Sequence, residues 1–308
     1  MIPYTSQNMY VKINMSIQLY KMEYNALIFE GGGMKGMCYV GAIEELTRDN
    51  FLDLSKIHHF GGTSAGAIIA TLLASNHTLD EMQDVMYKTE WKRMRDGNFG
   101  FFRNMIRLFR RFGYHRGLFM EKLMNKLLMK KTGIKRVTFE QLYGFTGNHL
   151  KMVGTNVTTG EVVYMDHVCT PHMAVAKAVQ ISSCIPFMFK PVTYNGCLYV
   201  DGGLIKNLDL DMFLEFNPKT LAFEIQDINN NEDINNMVTY FMKLFGIIHK
   251  EANHYNQSEL IDTSILKIYE NELSPFKFDM KRTDLSHLKQ VGTSYAKKFK
   301  SESIQYQL

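Results

Sequence analysis

The sequence predicts an α/β protein, one domain with a central, largely parallel sheet flanked by helices. Three observations carry this. A short apolar run ends in glycines and opens a helical pattern at residues 26–48, and the same order returns at 57–74. A third apolar run, Leu198 to Val200, also ends in glycines, as Asp201-Gly202-Gly203. Strand, glycine turn and helix in repetition is the pattern of a parallel sheet with crossover helices. The chain has 308 residues, 45% of them hydrophobic. That is enough for one substantial core, with no internal repeat and no obvious linker.

Taken in order, residues 1–23 read as a polar N-terminal extension. Ala26 to Phe29 is the first strand, and Met37 to Arg48 the first helix. Ile57 to Phe60 is the second strand, ending in Gly61-Gly62, and the small and apolar residues Ala65 to Ala74 follow as a helix. Residues 79–131 read as mainly helical. Leu150 to Val157 and Glu161 to Met165 form a hairpin with Thr159-Gly160 at its turn. A helix near Pro171 to Gln180 precedes the Leu198 strand. Strands at Leu221 to Ile225 and Ser264 to Tyr269 follow, with a helix around Ile234 to Lys250 between them. An amphipathic helix from Asp284 to about Lys300 closes the chain. Residues 215–308 are expected to complete the same fold.

Composition excludes several classes. Cys38, Cys169, Cys184 and Cys197 are far apart, with no CxxC pair and no histidine at zinc-ligand spacing, so a reduced, cytoplasmic setting without a structural metal is expected. Residues 1–23 lack the basic start and apolar run of a signal peptide. No stretch approaches the roughly 20 apolar residues of a membrane-spanning helix. Val238 to Ile248 comes nearest, is too short and contains Lys243. A net charge of +4 is too small to argue for nucleic acid.

Gly62-Thr63-Ser64-Ala65-Gly66 fits G-x-S-x-G. A serine on a sharp strand-to-helix turn projects its hydroxyl into a cleft, glycine fits the crowded flanks, and the helix N-terminus faces developing negative charge. The same five residues also describe an ordinary βα turn; the apolar strand before and the small-residue helix after favour the nucleophile. Upstream, Gly31-Gly32-Gly33-Met34-Lys35-Gly36 formally matches a dinucleotide loop. That fold needs an acidic residue ending the second strand, and Asp53 precedes the strand instead. A phosphate-binding P-loop lacks its Gly-Lys-Ser/Thr. The reading left is an oxyanion hole, in which bare amides converge on an ester oxygen. In α/β-hydrolases a histidine normally precedes such glycines, at a much greater distance from the serine; here Glu30 stands there. Asp201-Gly202-Gly203 puts a carboxylate at a further strand-end turn, which alone is also a common structural turn.

With three glycine-rich loops in this order, the sequence resembles the patatin-like phospholipase family, whose members carry Gly-Gly-Gly-x-Arg/Lys-Gly, Gly-Thr-Ser-Ala-Gly and Asp-Gly-Gly/Ala. Ser182-Ser183-Cys184-Ile185-Pro186, running on to Phe189-Lys190-Pro191, resembles the family's Ser-x-x-Pro block, and Asn207 stands where the family often has Asn. The match covers about residues 26–214, and more weakly reaches Phe278, Leu288 and Gly292. Lys35 stands where Arg is common, and Asp209 replaces a frequent proline. The resemblance implies a histidine-free dyad in which Asp201 takes the proton of Ser64. It implies an acyl-serine intermediate, a phospholipid or related lipid ester as substrate, and no cofactor. A neutral-lipid hydrolase, an acyltransferase on the same dyad, or a non-catalytic lipid-binding protein are the alternatives.

From Lys88 to Arg136 fifteen Lys or Arg face only Glu90, Asp96 and Glu121, so this insert is strongly basic and the rest net acidic. Phe101, Met105, Leu108, Phe109 and Phe112 share one helical face; Arg103, Arg107, Arg110 and Arg111 take the other. Such a helix suits an anionic membrane surface, and equally a lid whose apolar side packs on the core. No nucleic-acid-binding module accompanies the charge.

Overall fold

A computed structural model describes residues 23–96, 101–226, 240, 243–244 and 262–305, with the backbone alone at 101–104 and 304. Strands β1 (Ala26–Phe29), β2 (His59–Gly62), β4 (His149–Asn156), β5 (Glu161–Met165), β7 (Val192–Tyr194), β8 (Cys197–Asp201), β9 (Thr220–Gln226) and β10 (Thr263–Tyr269) form one sheet. Its order is β10-β9-β1-β2-β4-β8-β7, with β5 also paired to β4. The five strands from β10 to β4 run parallel; β5, β7 and β8 are antiparallel additions at one edge. Helices α1 (Cys38–Arg48), α2 (Ala65–Ala74), α3 (Leu79–Lys88), α4 (Phe101–Arg111), α5 (Leu118–Thr132), α6 (Phe139–Thr146), α7 (Val175–Ser182) and α8 (Arg282–Gln305) complete it. The sheet is mostly parallel, central and flanked by helices, as the sequence predicts.

The strand period of two explains how the sheet is covered. Leu27 and Phe29 enter the large core under the helices, while Ala26 and Ile28 enter a smaller cluster with Met212 and Phe213 on the other face. That second face is covered, among the described residues, by the 208–216 segment. The helix expected at 234–250 lies almost wholly outside the described residues, as does the 1–23 extension but for Glu23. Helices α1 and α8 cross with backbones in contact: a Cβ at Gly41 would lie 2.0 Å from the Lys289 carbonyl, and one at Gly292 would lie 1.9 Å from that of Cys38. The weak C-terminal match at Gly292 is therefore a packing position behind the glycine loop.

Several expectations are corrected. The second strand is His59–Gly62, with a 3-10 turn at Leu54–Lys56, so Gly61 and Gly62 pair within the sheet. The glycine loop runs into a 3-10 turn, Gly33–Met37, before α1 begins at Cys38. The helix expected near Pro171 is Val175–Ser182. The insert is not continuous helix: β3 (Gly113–His115) pairs in parallel with β6 (Phe187–Phe189) in a separate two-stranded ribbon. Three-residue strands such as these carry too little periodicity to be read from sequence. Asp96 bonds the amides of Gly117 and Leu118, both at 2.7 Å, capping α5 and drawing the insert back.

Candidate active site

The site lies at the carboxyl ends of β1 and β2, where open α/β sheets commonly bind ligands. Ser64 follows β2 with φ 53° and ψ −118°, the strained turn a nucleophile needs to stand clear of the sheet. Glycine makes this turn possible. A Cβ at Gly62 would meet the Gly66 carbonyl carbon at 2.5 Å, and one at Gly66 would meet the Phe29 oxygen at 2.1 Å. The Ser64 amide donates to the Ser182 hydroxyl at 3.0 Å, which ties the turn to α7. Ser182 belongs to the Ser-x-x-Pro block, but only the fold reveals that it holds the Ser64 backbone.

Antiparallel β8 descends beside β4 and delivers Asp201 opposite Gly154, two residues beyond the Met152 that pairs with Gly62. This brings residues 137 positions apart level with one another. The Ser64 hydroxyl lies beside the Asp201 carboxylate and favours its charged form, and the Gly203 amide donates to Asp201 Oδ1 at 2.8 Å. Burial pushes the Asp201 carboxyl up to about 7, against the opposing pull of the Ser64 hydroxyl and the Gly203 amide. A carboxylate so displaced is a far better proton acceptor at neutral pH than an exposed aspartate.

The glycine loop leans on both. Its Gly31 amide donates to the Asn207 carbonyl at 3.4 Å, Met34 to Pro275 at 2.8 Å, and Lys35 to Gly32 at 3.1 Å. Among the described residues the amides of Gly32 and Gly33 find no protein acceptor, and Gly33 has φ +54°. Gly36 packs against Ala65, where a Cβ would sit 2.8 Å from the alanine methyl. The Lys35 side chain is buried and its Nζ donates to the Glu270 carbonyl at 2.8 Å, so it anchors the loop to the end of β10 instead of facing Ser64.

Glu30, which replaces the histidine of triad enzymes, is a brace. Its carboxylate accepts from the Ile225 amide and from Asn207 Nδ2, each at 2.8 Å, and Asn207 Nδ2 also reaches the Gly31 carbonyl at 3.2 Å. Burial, reinforced by nearby Glu224, raises its carboxyl to about 8. Tyr39 donates to the Glu30 carbonyl at 2.9 Å, and Phe29 stacks on Phe223 at 4.7 Å beneath. In the sequence Glu30 shows only as a departure from the triad pattern, because its partners lie 177 and 195 positions away.

Ser64 opens onto a cavity walled by Met34, Ile68, Trp91, Met94, Met120 and Phe189, almost wholly apolar. Among the described residues no histidine lines it. Trp91 is fixed by its indole N–H to the Met86 carbonyl at 2.9 Å. These walls come from segments scattered along the chain and are not legible in the sequence, although Trp91, the lone tryptophan, lies near the start of the basic insert. Among the described residues no group of His, Cys, Asp or Glu could hold a metal ion.

The model of the patatin-like phospholipase family matches residues 27–214, which takes in all three glycine loops. The chain belongs to this family. Uncharacterized protein R571 of Acanthamoeba polyphaga mimivirus is 29% identical over 282 residues, covering 88% of this chain and 92% of that one. Probable lipid hydrolase 463L of Invertebrate iridescent virus 6 is 27% identical over 214 residues, 66% of this chain and 68% of that one. The solved structure of VipD from Legionella pneumophila superposes with TM-score 0.64 at 15% identity, covering 92% of this chain and 67% of that one, a likeness of fold. Family and relatives support a lipid hydrolase of patatin-like fold.

The arginine face is placed apart from Ser64. Arg107, Arg110 and Arg111 line a basin with Arg116 and Lys190, while the side chain of Arg103 lies outside the described residues. The apolar face expected to pack does so only in part: Met105 and Leu108 are half-buried, but Phe109 is 75% and Phe112 58% exposed. Among the described residues no helix is long and apolar enough to cross a membrane.

Proposed function

We propose that this chain hydrolyses acyl esters of lipids, phospholipids in particular, with Ser64 as nucleophile and Asp201 as the base. The observation that carries the reading is the Ser64 hydroxyl beside a buried Asp201 carboxyl that burial raises to about 7, at the mouth of an apolar cavity. With an acyl chain in that cavity, Ser64 Oγ attacks the ester carbonyl and its proton passes to Asp201. The oxyanion is stabilised by the glycine loop, Gly31 to Gly36, through the amides of Gly32 and Gly33 and the positive N-terminus of α2. Collapse returns the proton from Asp201 to the departing alcohol. Asp201 then deprotonates a water that attacks the acyl-serine, and on collapse it returns that proton to Ser64 Oγ as the acid leaves. Neither step calls for a metal or a cofactor. Thr63, Ala65 and Gly66 shape the turn, and Gly202 and Gly203 let Asp201 approach: a Cβ at Gly202 would lie 2.4 Å from the Val153 carbonyl.

The test is fatty-acid release from defined phospholipids, together with fluorophosphonate labelling of the intact protein. Labelling that vanishes in Ser64→Ala and release that vanishes in Asp201→Asn are the expected results. Unlabelled wild-type protein, or full activity in either variant, overturns the assignment.

A further inference from the structure

The basin between α4 and β6 has no part in the chemistry at Ser64, and its construction asks for an anion. Arg107, Arg110, Arg111, Arg116 and Lys190 line it, with Ile106 and Leu118 as its apolar share. Arg107 Nη1 donates to the Tyr114 carbonyl at 2.9 Å, which orients it. Among the described residues no carboxylate lies within ion-pair distance of Arg110, Arg111, Arg116 or Lys190. Asp96, the carboxylate close by in the chain path, is committed to the amides of Gly117 and Leu118. The four cations without a carboxylate partner among the described residues repel one another, and forked guanidinium groups fit phosphate oxygens.

The basin is also rigid. The Lys190 amide donates to the His115 carbonyl at 2.9 Å, and the ribbon of β3 and β6 pairs His115 with Phe189. A Cβ at Gly113 would lie 2.2 Å from the Lys190 nitrogen, so the two backbones touch. Phe112 adopts φ 60° to turn the chain from α4 into β3, a strained conformation for an aromatic residue. The same helix end exposes Phe109 by 75%, Phe112 by 58% and Ile106 by 55%. Exposed phenylalanines beside clustered arginines fit a lipid interface better than a polyanion dissolved in water. Phe189, adjoining Lys190 in sequence, walls the cavity at Ser64.

We infer that Arg107, Arg110, Arg111, Arg116 and Lys190 form a headgroup site for a lipid bearing phosphomonoester groups, with Phe109 and Phe112 entering the bilayer beside it. A phosphomonoester carries more charge than the single negative charge of a phosphodiester, which suits several converging cations. This deepens the lipid-hydrolase reading and rests on it only for the claim that the bound membrane supplies substrate.

The test uses the full chain as Ser64→Ala, so that turnover does not consume the vesicles. Binding is measured to phosphatidylcholine vesicles doped with phosphatidylserine or with a phosphoinositide, at equal total charge. The phosphoinositide vesicles are expected to bind about tenfold tighter. Arg116→Ala with Lys190→Ala is expected to erase that margin with the melting temperature unchanged. Phe109→Ser should weaken binding to both kinds of vesicle. Equal binding at matched charge overturns the site, and so does a margin that survives in the double variant. If a soluble inositol polyphosphate or single-stranded RNA binds as tightly without a bilayer, the ligand is not a membrane and the inference fails. Wild-type protein that fluorophosphonate leaves unlabelled would sink the hydrolase reading and leave this site standing.

Discussion

Ser64 sits among glycines whose missing side chains let backbone meet backbone, whereas Arg110 and Arg111 sit at a helix end where Phe109 and Phe112 meet little. In the first region Gly62, Gly66 and Gly202 each leave no room for a methyl group, and close backbone contact holds the Ser64 turn in place. In the second, Phe109 and the arginines stand largely in solvent. The contrast teaches where each kind of specificity is stored. A reacting hydroxyl must be held to a fraction of an ångström, which close-packed backbone provides. A surface that meets a fluid bilayer needs charge and apolar area, and little exact placement.

That contrast can be broken by experiment. The largest effect is expected at the proposed dyad: Ser64→Ala and Asp201→Asn should each lower ester hydrolysis by roughly 10⁴-fold, the usual scale for loss of a nucleophile or its partner. Initial rates on a short-chain ester, with circular dichroism as the folding control, measure it. Next comes Gly66→Ala, whose new methyl would meet the Phe29 carbonyl; it should cost about 3 kcal/mol or more in denaturant unfolding. At the far end, Phe109→Ser should change unfolding free energy by less than about 0.5 kcal/mol, because its ring is already exposed. A large loss of stability in Phe109→Ser would mean that α4 is a packed lid, and the contrast would collapse.

Acidity sharpens the comparison further. Asp201 must be ionised to accept a proton, and burial holds it near 7, so hydrolysis should fall about tenfold per pH unit below that value. An unshifted aspartate would keep its activity down to about pH 4. Stability should run the other way. Asp201 and Glu30 both bind protons more tightly folded than unfolded, so they stabilise the protein most at low pH. Their contribution is lost as pH rises through about 7 and about 8. Unfolding of Asp201→Asn against wild type across pH 5 to 9 isolates one of the two. Equal slopes for both proteins would show that Asp201 is not perturbed.

The parts legible in the sequence were those in which residue type and geometry are inseparable. Three glycine loops at strand ends, the strand Ala26–Phe29, the β4–β5 hairpin and the closing helix all follow from short-range pattern. The short ribbon of β3 and β6 was invisible because its partners lie more than seventy residues apart and each holds three residues. Glu30 looked like an exception until Asn207 and the Ile225 amide gave it partners. The sequence places Lys35 in the oxyanion loop, yet its side chain bonds the Glu270 carbonyl, a contact across 235 positions.

What the sequence determined by itself was the chemistry available: a hydroxyl on a glycine turn, a carboxylate on another, and bare amides on a third. These are local properties, set by which residues can adopt which backbone angles. Only tertiary structure decided that β8 runs against β4, bringing Asp201 level with Ser64 and out of water. The same is true of the gathering of Arg116 and Lys190 with Arg107, Arg110 and Arg111. Proton affinity and ligand charge depend on neighbours distant in the chain, and neighbours are what folding chooses.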